Sequence, residues 1–218
     1  MPPQERQELL NRLIEDAALK YDKFTARQQR FALNELERSR DALVDLILQY
    51  ADDEGKVKKE RARKLLNELD KIEIMIQENT LGATETALQR GVDRAMKDIE
   101  NAYKGAGVPT VGLDFDTINA DTMKYITQRF GEDGLVLSDR IWRFAGRQRE
   151  ALEGAIRAGI LQGKALNEMR RDIERIYSTN RYNVDRLIKT EMNTAYRVAF
   201  SYSAQRSRVV EYVQIIRG

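Results

Sequence analysis

Apolar residues recur three and four positions apart over residues 4–104, which is the spacing of one face of an α-helix. One stripe covers residues 9–24 and continues over 36–50, with a break predicted near Thr25. A second stripe covers 65–76, pauses at 79–82 and resumes over 88–103. The turn ADDEG (51–55) separates the two stripes, and its glycine suits the left-handed backbone that ends helices. This half predicts an extended helical hairpin or bundle over residues 1–104.

A glycine-rich segment, GAGVPTVGLDFD (105–116), interrupts the helical pattern. It lacks the GK[ST] end of a phosphate-binding loop, and Ile118 occupies the third ligand position of a calcium loop. Neither ligand site is therefore predicted here. We interpret residues 105–118 as a linker between two regions.

Residues 119–218 predict a compact helical module. A short helix is expected over 120–130, and a longer one should begin with Ser138 as its N-cap and end at Gly163. Three glycines inside that longer helix predict that another backbone passes close to it. A helix over 166–177, a break at STN (178–180) and a last helix to about residue 206 follow. The β-branched segment 209–218 predicts a short β-strand. The fold class is mainly α.

Composition then removes several kinds of site. The 218 residues include neither cysteine nor histidine, which excludes disulfides, thiolate or imidazole metal sites and Ser-His nucleophiles. No apolar run approaches the roughly 20 residues that cross a bilayer, and the start resembles no secretory leader. We therefore expect a protein without membrane contact, metal or cofactor, made in a reducing cytoplasm, and no enzyme.

Charge is unevenly divided along the chain. Residues 135–218 carry 16 Lys and Arg against 9 Asp and Glu, whereas residues 1–134 carry 21 against 26. The last helix places four polar residues on the face opposite its apolar stripe. This face is either a solvated surface or a sequence-independent contact with double-stranded DNA. The candidates for DNA contact are Arg186, Lys189, Asn193 and Arg197.

Glu191 lies at the edge of the apolar face of the same helix. A carboxylate in that place needs a cation or several hydrogen-bond donors. General acid or base catalysis would require a second carboxylate or a nucleophile, and no pattern in the sequence supplies one. We therefore predict a structural ion pair with Arg140 or Arg143, and a hydrogen bond from Thr190 to a backbone carbonyl or a neighbouring helix end.

Three segments in a fixed order resemble the phage head-morphogenesis family, the Mu F-like minor capsid proteins of tailed bacteriophages. They are LSDRIW (137–142), GILQGKALNEM (159–169) and RLIKTEMNTAY (186–196). The resemblance covers roughly residues 114–216. The family motif falls on Ser138, Asp139, Arg140, Ile141, Trp142, Gly159, Gly163, Lys164, Arg186, Lys189, Thr190 and Glu191.

The resemblance implies a structural component of the virion, inside the capsid at the portal vertex, acting in head assembly and in genome packaging or ejection. It implies the portal protein as partner, with capsid or scaffolding protein as a further one, whereas contact with double-stranded DNA is predicted from charge. It implies no catalytic activity. The alternative is a delivery adaptor for an effector or nucleic-acid-processing domain lying beyond Gly218.

The sequence departs from the family pattern at three places. Lys189 stands where arginine is usual, which removes a planar two-point hydrogen-bonding group. Ala165 stands where serine is frequent, so another residue must cap the helix that follows. Family members usually continue into a Cys-containing segment that resembles a metal site, whereas this sequence ends at Gly218. We expect either a short version or a piece of a longer protein.

Overall fold

The computed structural model describes residues 1–208, and nearly all of them are helical. The mainly α fold class is confirmed. Within residues 1–208 there is no sheet, only one isolated antiparallel bridge between Ala51 and Val57. The strand predicted over 209–218 lies outside the described residues. The helices are α1 (Pro3–Tyr50), α2 (Lys59–Gly105), α3 (Phe115–Gln128), α4 (Leu137–Gln162) and α5 (Leu166–Arg206).

Three predicted helix breaks are wrong, because α1, α2 and α5 run unbroken through Thr25, residues 79–82 and residues 178–180. Polar residues at these places do not compete with the helix. The Ser178 hydroxyl donates to the Glu174 carbonyl at 2.8 Å, and that of Thr179 donates to the Arg175 carbonyl at 3.2 Å. These bonds stay inside the helix instead of capping a new one.

The turn between α1 and α2 is held by its own polar groups. One Asp52 carboxylate oxygen accepts the backbone N–H of Glu54 at 3.1 Å and that of Lys56 at 3.0 Å. The hydrogen bond from the Lys56 N–H is the main reason that the pKa of Asp52 is lowered. Gly55 has φ 71°, which a side chain would strain. The predicted end of the first helix near residues 51–55 is therefore confirmed.

The start of α3 has a side-chain cap, whereas the start of α4 has none. Asp114 caps α3, because its carboxylate accepts the Thr117 backbone N–H at 3.1 Å. Ser138 is not the cap of α4; the N-cap is Val136, which offers no side-chain bond, and Ser138 lies inside the first turn. Asp139 does lie in the first turn, and Gly163 ends α4 with φ 65° as predicted.

The expectation that a backbone passes close to the α4 glycines is wrong. A Cβ added at Gly159 would meet the Met169 side chain at 2.9 Å, and one added at Gly154 would meet nothing within 4 Å. Three helices approach closely at Gly91 of α2. A Cβ there would lie 2.7 Å from the Tyr21 hydroxyl of α1 and 2.8 Å from the Met192 side chain of α5.

The chain forms two compact units, each built from segments that are separate along the chain. Unit 1 comprises Met1–Gln29, Thr86–Arg129 and the described residues from Ile188 on. Unit 2 comprises Arg30–Glu85 and Phe130–Leu187. These two segments contain parts of α1, α2 and α5 and the whole of α4. The predicted division at residues 105–118 follows sequence order, whereas these units do not, and it stays a prediction.

Each unit has its own apolar core. In unit 1 the aromatic ring of Tyr21 packs 4.2 Å, centroid to centroid, from that of Tyr196. Full burial of one aliphatic side chain stabilises the folded state by roughly 2 kcal/mol. The large fully buried side chains of unit 1 are Tyr21, Leu88, Ile99, Ile118 and Ile126. Those of unit 2 are Leu43, Ile47, Leu65, Leu69, Ile141, Leu152 and Ile156.

Among residues 1–208, no helix contains an apolar stretch that could cross a membrane.

Candidate functional site

A buried ion pair in unit 1 joins α5 to the end of α3. Glu191 is 1% exposed, and both of its carboxylate oxygens accept hydrogen bonds from one guanidinium. Nη2 of Arg129 lies 2.8 Å from Oε1 and 2.7 Å from Oε2, and Nε lies 3.2 Å from Oε2. Charge-assisted bonds of this two-point kind hold geometry more firmly than a single contact. We call this pair the Glu191–Arg129 clasp.

Arg129 reaches Glu191 because α3 ends at this residue. Its backbone is extended, with φ −69° and ψ 143°, and its N–H closes the helix by donating to the Tyr125 carbonyl at 2.8 Å. The prediction named Arg140 or Arg143 as the partner of Glu191, whereas the guanidinium that donates to both carboxylate oxygens is that of Arg129. A cationic residue that follows directly on a short amphipathic helix is the pattern that could have pointed to it.

Arg140 and Arg143, the arginines named by the sequence analysis, both contact Asp133 in the loop before α4. Nε of Arg140 lies 3.1 Å from Oδ1, and Arg143 donates to Oδ2. Burial of Asp133 opposes its ionisation, but the hydrogen bond from Arg143 and the charge of Arg140 outweigh it and lower the pKa of Asp133. Gly131 leaves room for the Arg140 guanidinium, because an added Cβ would lie 1.0 Å from Nη2.

The glycine and lysine positions of the second motif build the corner between α4 and α5. Gly163 ends α4, and the Lys164 backbone N–H donates to the Gly159 carbonyl at 2.9 Å. The Lys164 ammonium donates to Asp172 of α5 at 2.9 Å and is the main reason that the pKa of Asp172 is lowered. The Ala165 N–H donates to the Glu168 carboxylate at 3.2 Å, which is the half of a capping box that the glutamate supplies; alanine cannot supply the other half, a side-chain acceptor for the Glu168 N–H.

The remaining motif residues divide between the core and the surface. Ile141 is buried in unit 2, whereas the Trp142 ring is 57% exposed. Lys189 and Thr190 are exposed on α5, and the Thr190 carbonyl accepts the Thr194 hydroxyl at 2.9 Å. Tryptophan is enriched at protein interfaces, so the exposed indole marks a candidate contact surface.

The four residues predicted to contact DNA differ in their exposure to solvent. Arg186, Lys189 and Arg197 are exposed, whereas Asn193 is half-buried. Asn193 and Arg197 line an open cleft of about 450 Å³ in unit 1, together with two carboxylates from α1. Those carboxylates weaken the attraction of this part of α5 for phosphate. The cleft is lined by Glu15, Ala18, Leu19, Tyr21, Asp22, Asn193, Tyr196 and Arg197.

Two phenols form the inner wall of that cleft. The Tyr21 hydroxyl donates to the Met192 carbonyl at 3.3 Å. Burial is the main cause of the raised pKa of both Tyr21 and Tyr196, and the nearby charge of Asp98 adds to it in each case. Both phenols therefore stay neutral at physiological pH and act as structural packing groups.

The arrangement around Glu191 is suited to holding helices together. Both oxygens of the carboxylate accept hydrogen bonds from Arg129. Over the described part of the chain, no group of three or more acidic residues is placed to hold a metal ion. The chemistry that these contacts support is the fixing of one helix against the end of another.

Comparison with models of protein families, with curated proteins and with solved structures found no match to this chain.

Proposed function

We propose that this chain is a structural minor head protein of a tailed bacteriophage, placed inside the capsid at the portal vertex. In this proposal it acts in head assembly and in genome packaging or ejection. The observation that supports the proposal is that three segments resembling motifs of that family occur in order, and one charged residue in each of them joins parts of the fold. Arg140 contacts Asp133, Lys164 contacts Asp172, and Glu191 contacts Arg129.

A structural role also agrees with the chemistry of the chain. Without histidine or cysteine, catalysis would depend on carboxylates, lysine, tyrosine or an activated hydroxyl. Glu191, the most buried acid of the motif, has both oxygens engaged by a guanidinium. The motif residues are thus better suited to fixing helix positions than to turnover.

The exposed ring of Trp142 supports the protein-partner part of the proposal. Tryptophan is among the residues that most often dominate the binding energy of protein interfaces. At 57% exposure, its ring has apolar surface that a partner can bury. We therefore assign the portal contact to the surface around Trp142.

The test is co-expression of this chain with the portal protein encoded in the same genome, followed by size-exclusion chromatography and affinity measurement. We expect the two proteins to co-elute. Trp142→Ala should weaken the complex roughly 30-fold, the equivalent of about 2 kcal/mol at a dominant interface residue. Tyr182→Ala is the matched control, because Tyr182 is an aromatic residue with 67% exposure that lies outside the motif.

Separate elution of the unaltered chain and the portal protein would contradict the portal role. Equal weakening by Trp142→Ala and Tyr182→Ala would remove the assignment of the contact to Trp142.

A further inference from the structure

The start of α2 and the turn before it carry an unusually dense run of cations. Residues 56–64 read KVKKERARK, in which six of nine residues are Lys or Arg and one is acidic. All six cationic residues are exposed. The run lies within residues 1–134, whose net charge is negative, so the total charge of that half does not reveal it.

The apolar residues in and beside this run face inward. Val57 is 7% exposed, and Leu65 is fully buried in unit 2. The outward side of residues 56–64 therefore offers charge without an exposed apolar or aromatic side chain. Insertion into a lipid surface requires such apolar side chains, and stacking on single-stranded bases requires aromatic ones.

Some of the six cations have structural partners. The Arg61 guanidinium donates to the Tyr50 and Ala51 carbonyls at 3.5 and 3.4 Å, where it satisfies the last carbonyls of α1. Lys56 lies 3.4 Å from a Glu54 oxygen, and Lys58 lies 4.0 Å from an Asp52 oxygen. These contacts tie Arg61 to the turn and partly neutralise Lys56 and Lys58.

The other three cations, Lys59, Arg63 and Lys64, have no carboxylate within ion-pair distance in the part of the chain that the structure describes. We call them the α2 cationic face. Lys59 and Arg63 are four residues apart, so like charges meet on one side of the helix, which is unfavourable. They also lie near the positive end of the helix dipole, which disfavours cations. An external polyanion would relieve both penalties.

We propose that the α2 cationic face binds the phosphate backbone of double-stranded nucleic acid without reading its sequence. Lys59 and Lys64 are separated by about 7.5 Å along the helix axis, at 1.5 Å per residue. A duplex carries one phosphate per roughly 3.4 Å on each strand. At about 100° per residue, Lys59 and Arg63 lie about 40° apart around the helix axis and can face neighbouring phosphates, whereas Lys64 lies about 100° beyond Arg63 and contacts a phosphate at the edge of the same surface. The hydrogen-bonded turn at Asp52 fixes the start of α2 and so presents these side chains on a rigid element.

This surface differs from the DNA contact expected on α5. It lies in unit 2, and it does not depend on whether the chain docks on a portal. Asn193 and Arg197 lie beside the carboxylates of Glu15 and Asp22, whereas the α2 cationic face has no such neighbours within ion-pair distance among residues 1–208. The α2 surface is therefore the stronger of the two candidates for phosphate.

The test measures affinity of the whole chain for duplex DNA of random sequence over a range of salt concentrations. The variant replaces Lys59, Arg63 and Lys64 together by Gln. We expect the slope of log affinity against log salt to fall by about 2 to 3, since each lost phosphate contact removes roughly 0.9. A circular dichroism spectrum and the portal co-elution are measured on the same variant, so that a fold defect or a failed portal role is distinguished from lost DNA binding.

Two matched controls accompany this variant. Lys20, Lys23 and Lys97 are exposed, lie in unit 1 and, replaced together by Gln, remove the same charge. Lys189→Gln with Arg197→Gln tests the α5 alternative. The proposal predicts that both controls keep most of the salt slope.

The proposal is overturned if the α2 variant keeps the full slope, or if the unit 1 control or the α5 control loses as much. Binding of the unaltered chain to vesicles with anionic lipids but not to duplex DNA would also overturn it.

Discussion

At the scale of single residues, the buried carboxylate of Glu191 on α5 pairs with the guanidinium of Arg129 at the end of α3. The position of Glu191 at the edge of an apolar face follows from helical spacing, which is a local property. Arg129 lies 62 positions away along the chain, so its contact with Glu191 depends on how α3 and α5 pack. Tertiary packing of this kind has no local pattern in the sequence, and the arginines nearest the motif were named instead.

Tyr177 allows a test of burial at one residue. Burial raises the pKa of Tyr177 to about 12, from an ordinary value near 10. At pH values below the ordinary pKa, the phenol is neutral in both states and its contribution to the unfolding free energy is fully present. This contribution is lost as pH rises towards the folded-state pKa, because the phenol of the unfolded chain ionises first. Two pKa units correspond to about 3 kcal/mol.

We therefore expect Tyr177→Phe to lose less unfolding free energy between about pH 9 and pH 12 than the unaltered chain does. Urea unfolding at several pH values measures this difference. Tyr182→Phe is the control, because Tyr182 is 67% exposed. An identical fall of stability with pH in Tyr177→Phe and in the unaltered chain would show that the phenol of Tyr177 is not protected by burial.

At the scale of helices, the apolar pattern predicted which segments are helical but not how far each helix extends. Apolar spacing survives through Thr25, residues 79–82 and residues 178–180, yet polar residues there predicted breaks. Packing overrides these local preferences: Thr25 and Thr80 are each 2% exposed inside their helices. Gly163, by contrast, ends α4 because it has a positive φ, and that end could be predicted from sequence.

Two glycines of the same region should respond oppositely to alanine. Gly163 has φ 65° with nothing within 4 Å of an added Cβ, so Gly163→Ala introduces only backbone strain of about 1 kcal/mol. Gly154 lies inside α4 with equally open space, so Gly154→Ala should stabilise by up to about 1 kcal/mol. Chemical denaturation of both variants measures the pair. Shifts of the same sign would contradict the assigned helix end.

At the scale of the whole molecule, the compact units could not be predicted from sequence order. Unit 1 draws on three segments of the chain and unit 2 on two, and α1, α2 and α5 contribute residues to both. The predicted division lies where the composition of the chain changes, at residues 105–118. Composition reports local flexibility, whereas units are defined by contacts between distant segments, so the two criteria differ here.

The basic run at residues 56–64 lies within a half of the chain whose net charge is negative, so it is visible only in the charge of a short segment. Its significance still required the structure, because only the contacts separate Arg61, which satisfies carbonyls of α1, from the cations that have no carboxylate partner among residues 1–208.

The central claim is that Glu191 serves the architecture of the protein, and a double-mutant cycle tests it most directly. The cycle compares unfolding free energies of the unaltered chain, Glu191→Gln, Arg129→Gln and the double variant. We predict that each single variant loses about 3 kcal/mol or more, and that the double variant loses clearly less than the sum, with a coupling of at least about 1 kcal/mol. Single variants as stable as the unaltered chain, with no coupling, would contradict the account.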